Sequence, residues 1–516
     1  MRRSTPPTDA AAQQPSARSD AVAITLPFAA IVLAMLPAVL DQTILATALP
    51  VIAADLGSLG NLSWLVTGYV VAAAASTPLW GKLGDRHGRK RLLEVALVGF
   101  VGASALCSVA QDITQLIVVR AIQGVAAGGL MTMAMAAVGD LVSPRERGRY
   151  QGYIASAFAV ATIVGPLLGG VLVEHASWRW VFLVNLPLGV VALTGLHLRL
   201  PASRTDAPAH PLDVPGAALV AGATSALMLT CIWGGDRYAW DSAPVLALIA
   251  ATVALTGALI VRERHAADPI VPLEMLRTRV VALASSAMFL ATAALFSITV
   301  FVPLFLETTT GASPTEAGLL LVPAMLGITV STTLSGRSIA RTGRYRRFPV
   351  AGLAMMTSAL VLLAALAGEP SQVATGIGLA LFGLGFGMVS QILIVAVQNS
   401  VERRQLGVAT ATTGFFRALG GAVGGAVLGA VFAAQVGSHG GAGTALRSDL
   451  IDGVQSVFLV AAPLAALALL IVLRLPEVPL AKRGGGPARP APPASPTPSI
   501  PIAAATRQGV AVANES

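Results

Sequence analysis

The chain has 516 residues, 55% of them hydrophobic and only 11% charged, with a mean hydropathy of +0.75. Soluble domains carry roughly 25% charged residues, so a water-soluble fold is excluded. The net charge of +9 is spread over the short segments between apolar runs, and without one basic soluble face it gives no nucleic-acid-binding surface.

Residues 1–21 are polar and read as a cytoplasmic N-terminal tail. The apolar run that follows is too long for a signal-peptide core, so it is expected to be retained. A helix crosses the hydrocarbon core with about 20 predominantly apolar residues. Fourteen such windows occur, at 24–48, 62–80, 92–110, 113–138, 150–173, 180–198, 216–234, 243–261, 280–306, 317–335, 348–367, 373–397, 407–434 and 455–473. Lys and Arg collect in cytoplasmic loops, and the charges follow an alternating pattern along these spans. With both termini cytoplasmic, the inner segments hold Lys82, Arg86, Arg89, Lys90 and Arg91, then Arg145, Arg147 and Arg149, and so on to Arg474. Arg179, Arg237 and Arg447 alone fall outside. A miscount by one span would invert every later loop. Cys107 and Cys231 lie within spans and suggest no disulfide framework. Residues 476–516, with the run PARPAPPASPTPSIP, read as a disordered Pro-rich cytoplasmic tail.

A repeat organises the chain. GKLGDRHGRKR, residues Gly81 to Arg91, reappears as GRSIARTGRYR, Gly336 to Arg346, 255 positions later, and STPLWG before the first lies over STTLSG before the second. A basic, Gly-containing turn at the same place in two halves points to a repeat-built transporter. Span 2 maps onto span 10, so two spans are inserted between six-helix halves. The halves are 22–200 and 280–475, and 201–279 holds the linkers and the inserted pair. The fold class is an all-α membrane protein with 14 transmembrane helices.

Ionisable groups inside the membrane are costly and are functional hypotheses by default. Asp41 lies well inside span 1, Arg120 in span 4 and Arg417 in span 13; Glu94 is near the inner end of span 3 and Glu307 at the outer end of span 9. Asp41 and Arg120 are each about eight residues from the outer surface, roughly 12 Å deep at the helical rise. Burial raises a carboxyl's affinity for a proton and an adjacent guanidinium lowers it, so relative movement of the two helices would switch proton binding. A permanent tie between spans 1 and 4 is the other reading. No nucleophile and base set, metal-ligand cluster or GxxxxGK[ST] loop occurs, so neither an enzyme nor ATP-driven transport is expected, and no cofactor.

Small residues form a second set. Gly165, Pro166, Gly169 and Gly170 (GPLLGG, span 5) allow close helix contact and a Pro-bent helix. Gly420, Gly421, Gly424 and Gly425 in span 13 look similar, with ordinary close packing as the alternative.

On these motifs the chain resembles the fourteen-helix drug:proton antiporter branch of the major facilitator superfamily over about residues 22–475. The loop after span 2 is similar to that branch's loop 2-3 motif, LDQTILATALP (Leu40 to Pro50) to its helix 1 motif, and VVRAIQGVAAGG (Val118 to Gly129) to its helix 4 motif. IVGPLLGG (Ile163 to Gly170) resembles the helix 5 motif of exporters, and SWRWVFLVNLPLG (Ser177 to Gly189) the segment at the start of helix 6. The resemblance implies proton coupling through Asp41 and Arg120, a helix interface at Gly165 and Pro166 that governs which side is open, and a conformational latch of Gly81, Asp85, Arg86, Gly88 and Arg89. A carboxylate in that loop is suited to the positive N-terminus of a helix in the opposite half, with span 13 the candidate. Ala340 stands in the second copy, so the latch is expected on one side only. Glu307 replaces a Gln common in relatives and reads as a second proton or cation site or as a surface carboxylate. Tyr69, Gln123, Phe289, Phe296, Phe386, Gln391 and Phe416 are candidates for lining a cavity, gap-filling being the alternative. The expected function is proton-coupled efflux of drugs or amphipathic small molecules across a bacterial cytoplasmic membrane by alternating access. Substrate, protons and the lipid bilayer are the partners, and the protein is expected to be a monomer. Rival readings are a proton-coupled importer, an exporter of one endogenous metabolite, and a membrane sensor with a transporter-like fold.

Overall fold

The computed structural model describes residues 17–56, 62–202, 211–235, 237–305, 321–367, 371–437, 447–478 and 480. Among them no strand forms, and the chain runs as membrane-length helices. In order these are α1 Ala17–Leu56, α2 Leu62–His87, α3 Arg89–Ser108, α4 Ile113–Leu141, α5 Pro144–His175, α6 Trp180–Arg199 and α7 Val214–Trp233. They continue as α8 Ala243–His265, α9 Arg279–Phe305, α10 Val322–Thr342, α11 Arg347–Leu366, α12 Gln372–Ser400, α13 Leu406–Gly437 and α14 Arg447–Leu473. Thirteen are both long and apolar enough to cross a membrane. The other, α10, has 21 residues, about 31 Å at the helical rise, and is diluted by Ser331, Thr332, Thr333, Ser335, Arg337 and Arg341. Two of its buried hydroxyls are bonded to backbone carbonyls: Thr332 Oγ1 donates to that of Gly387 at 2.9 Å and Ser335 Oγ to that of Ser331 at 2.6 Å.

Two boundaries correct the sequence reading. α1 does not stop near Leu49 but continues across Pro50 to Leu56, since membrane bundles tolerate Pro within a helix. The segment Gly81 to Arg91 is not a loop: α2 runs to His87 and α3 starts at Arg89, leaving Gly88 with φ 90° as the whole break. In the second copy α10 ends on Gly343 with φ 71°. Gly88 and Gly343 are repeat-related, and only a residue without Cβ takes that conformation at little cost.

Local signals explain the helix starts. Asp112 accepts the Gln115 N–H at 2.8 Å, and Asp213 that of Gly216 at 3.0 Å, each satisfying a donor that the helix leaves unpaired. Buried apolar residues then divide by half. One cluster runs from Met275 to Leu480, and two others lie within Ile24 to Leu200. Of the inserted pair, α8 buries only Val245 and Glu263 among its own residues; it packs on α7, with Leu255 beside Gly222, and leaves most of its other residues exposed. α7 sets Met228 against Val71 and Ala74 of α2 and Ala418 and Ala422 of α13, and Trp233 stacks edge-on to Trp64 at 5.1 Å.

The halves are hydrogen-bonded to each other at the basic end of the bundle, where the α2/α3 and α10/α11 breaks lie. There Gln398 of α12 donates to the Met135 carbonyl of α4 at 3.3 Å, and Arg89 of α3 to the Arg403 carbonyl at 2.8 Å. Gly148 of α5 abuts Gly336 of α10, and Gly152 abuts Thr333.

Candidate functional site: a buried ion pair and a one-sided latch

α1 and α4 bring Asp41 and Arg120 together in the interior of the first half, 0% and 1% exposed. Arg120 Nη1 meets Asp41 Oδ2 at 2.5 Å and also donates to Gln123 Oε1 at 2.8 Å. The other oxygen, Asp41 Oδ1, accepts Gln123 Nε2 and Asn185 Nδ2, each at 3.2 Å. Asn185, one turn into α6, donates in turn to Ser104 Oγ at 3.0 Å, and Ser104 donates to the Phe182 carbonyl at 2.9 Å. The Tyr69 ring of α2 covers the guanidinium, with Arg120 Cζ 4.4 Å from its centroid, a favourable cation–π placement. Every residue of this network belongs to the first half. A carboxylate removed from water in this way is tolerable only with such donors around it.

The network corrects two expectations. Tyr69 and Gln123 do not line an open cavity, because each is turned inward onto the ion pair and is 1% and 0% exposed. Phe386 is likewise packed into the core of the second half. Gln391 is buried. Phe289 and Phe296 are half-buried at the α9/α13 crossing, where Gly420 abuts the Phe289 backbone and Gly425 the Phe296 ring. Phe416 is half-buried, edge-on to Phe415 at 5.8 Å. Glu307 lies outside the described residues.

At the basic end Asp85 sits against the first turn of α13. Its Oδ1 accepts the Gly407 N–H and its Oδ2 that of Val408, both at 2.8 Å. These are donors a helix N-terminus leaves free, and the helix dipole favours an anion there. Arg89 Nη2 holds Asp85 Oδ1 at 2.7 Å, and its Nη1 pairs with Asp140 of α4. Gly81 and Gly407 make this approach possible: a Cβ at Gly407 would stand 2.6 Å from both Asp85 Oδ1 and the Gly81 carbonyl. Arg86 does not reach Asp85; with Lys82 it faces Asp268 in the segment between α8 and α9. In α5, Gly165 and Gly169 press onto Thr43, Thr47 and Ile44 of α1. A Cβ at Gly170 would meet open space, and this exposed residue is not at a helix interface, since one residue on from Gly169 it points away from α1. Pro166 is exposed, and α5 continues through it.

Asn185, Ser104, Asp140 and Asp268 were not singled out from sequence. Asn185 had a signal, an amide inside the apolar stretch WVFLVNLPLG. Asp268 had none, because its partners lie about 180 residues earlier in the chain.

Two pseudo-repeated helical halves, joined at one end and carrying a charged pair within one of them, define a polytopic membrane protein of repeat-built transporter architecture. The chain belongs to the Major Facilitator Superfamily, whose family profile matches residues 31–425. It is 38% identical over 393 residues to an uncharacterized MFS-type transporter of Mycobacterium tuberculosis, covering 76% of this chain and 57% of the length of that relative. Similarity extends to the multidrug transporter protein MdtP of Bacillus subtilis, 33% identical over 397 residues (77% of this chain, 73% of the relative). The efflux pump dotC of Dothistroma septosporum is 33% identical over 407 residues (78% and 70%). Among solved structures, the human organic anion transporter MFSD10 superposes with TM-score 0.63 at 18% identity, covering 87% of this chain and 99% of its own. The proton:xylose symporter XylE gives 0.62 at 15% identity, covering 89% and 97%. These two speak to the fold alone.

Proposed function

We propose that the protein exports amphipathic small molecules across the bacterial cytoplasmic membrane in exchange for protons, by rocking of its two halves. The observation that carries the proposal is the unequal use of the Asp41 oxygens. Oδ1 is engaged by two neutral amides, whereas Oδ2 has Arg120 as its hydrogen-bond partner. A proton and the Arg120 guanidinium therefore compete for one oxygen. Proton binding at Oδ2 neutralises the carboxylate and releases Arg120, and proton loss restores the pair. A conformational change that separates α1 from α4 is thereby linked to proton uptake, and one that brings them together to proton release.

Direction is supported by the relatives' names as multidrug transporter and efflux pump. With the basic end cytoplasmic by the positive-inside rule, the contacts of Asp85, Arg89 and Gln398 belong to a state shut toward the cytoplasm. Opening them would admit substrate from inside. The test is Asp41→Asn in everted vesicles with ethidium as probe. The variant is expected at normal membrane levels with proton-driven ethidium uptake abolished. Undiminished uptake under a full pH gradient would falsify the coupling role of Asp41, and wild-type movement of probe out of energised everted vesicles would make the protein an importer.

A further inference from the structure

We infer that Asn185 is a positioning residue for the proton site, the group through which α6 holds Asp41 Oδ1 while Oδ2 changes partner. The inference rests on the proton-exchange reading of Asp41 given above. Asn185 is 0% exposed. Its amide nitrogen is the part that is engaged, with one hydrogen on Asp41 Oδ1 and the other on Ser104 Oγ, while Asn185 Oδ1 has no hydrogen-bond partner. The amide is therefore oriented by its two donor bonds. Ser104 cannot turn away readily, because its own hydrogen is committed to the Phe182 carbonyl in the preceding turn of the same helix that carries Asn185.

The charged and titratable groups around Asp41 are few. α2 contributes the Tyr69 phenol, α3 the Cys107 thiol and α4 the Arg120 guanidinium. α5 and α6 bring no ionisable side chain at that level, where Thr43 meets Gly165 and Asp41 meets Asn185. When Arg120 leaves Oδ2, the Gln123 and Asn185 amides are the donors that remain on the carboxylate. Gln123 travels with Arg120, being three residues further along α4 and bonded to it at 2.8 Å. Asn185 is anchored on α6 and α3 instead, so it is the donor that stays. A donor to the ionised form favours ionisation, so loss of Asn185 should change the pH dependence of transport.

Replacing it should move the midpoint of that pH dependence. Asn185→Ala removes the donor, and the pH of half-maximal ethidium uptake into everted vesicles is expected to rise by about one unit, the scale of one hydrogen bond to a charged group. Ser104→Ala frees the amide and should move the midpoint in the same direction by less. Asn185→Asp keeps the shape and serves if the alanine variant is absent from the membrane; its added carboxyl should move the midpoint further up. A residue that merely packs would lower the amount of protein or the maximal rate and leave the midpoint in place. An unmoved midpoint in a variant present at wild-type level overturns the assignment. Wild-type uptake indifferent to the proton gradient would instead overturn the antiport reading itself.

Discussion

The two seams that close the basic end are copies of one another and are not held in the same way. At the α2/α13 seam Gly81 lies on Gly407, and at the α5/α10 seam Gly336 lies on Gly148; Gly81 and Gly336 are repeat-related. The backbone approach is thus present in both. The charge is not. Asp85 places a carboxylate on the first N–H groups of α13, whereas its counterpart is Ala340. There Ser143 bonds Glu146 at 2.7 Å within the first turn of α5, and Arg145 lies over Gly343 and donates to the Leu480 carbonyl at 2.9 Å. Duplication has kept the steric device, which depends only on missing Cβ atoms, and has left the electrostatic one on one side. Closure at α2/α13 is accordingly open to control by charge and hydration, and closure at α5/α10 is a matter of fit.

Breaking the charged seam should have the largest effect. In Asp85→Asn the carboxylate's bonds to Gly407, Val408 and Arg89 are weakened or lost. Hydrogen bonds to charged groups contribute about 1.5–3 kcal/mol each, so closure should weaken by ~2 kcal/mol, roughly thirty-fold in population. A reporter cysteine replacing Ala411, in protein lacking Cys107 and Cys231, should react with a maleimide faster by a similar factor. An unchanged rate would show that Gly packing alone holds this seam.

The steric seam is probed by Gly336→Ala, whose new Cβ would run into the Gly148 carbonyl. Overpacking costs about 1–3 kcal/mol, so a cysteine at Thr333 should become roughly ten-fold more reactive and ethidium uptake should fall by a comparable factor. Labelling like that of the parent would mean that the backbones can part at no cost. Ala340→Asp is the smallest change and sharpens the contrast, since it offers the α5 N-terminus the carboxylate that the first copy gives α13. A charge beside a helix terminus contributes about 0.3–1 kcal/mol. Labelling at Thr333 should slow about two- to five-fold, with turnover slowed alongside it, and acceleration would show that no N-terminal donors are within its reach.

Much of this architecture is written in the sequence. The apolar windows, the alternation of basic loops and the repeat of Gly81–Arg91 as Gly336–Arg346 rest on the cost of leaving polar backbone in lipid and on the bias of Lys and Arg, both of which act locally along the chain. The rarity of ionisable residues in those windows likewise singled out Asp41 and Arg120. Tertiary structure alone decided their surroundings. Tyr69 and Gln123 turn inward onto the pair, Asn185 reaches Asp41 from a helix far along the chain, and Asp85 finds free N–H groups in the opposite half. Helical periodicity says how deep a side chain lies and not which neighbour it faces, because azimuth is set by how separate helices pack and by which buried polar groups must be satisfied together.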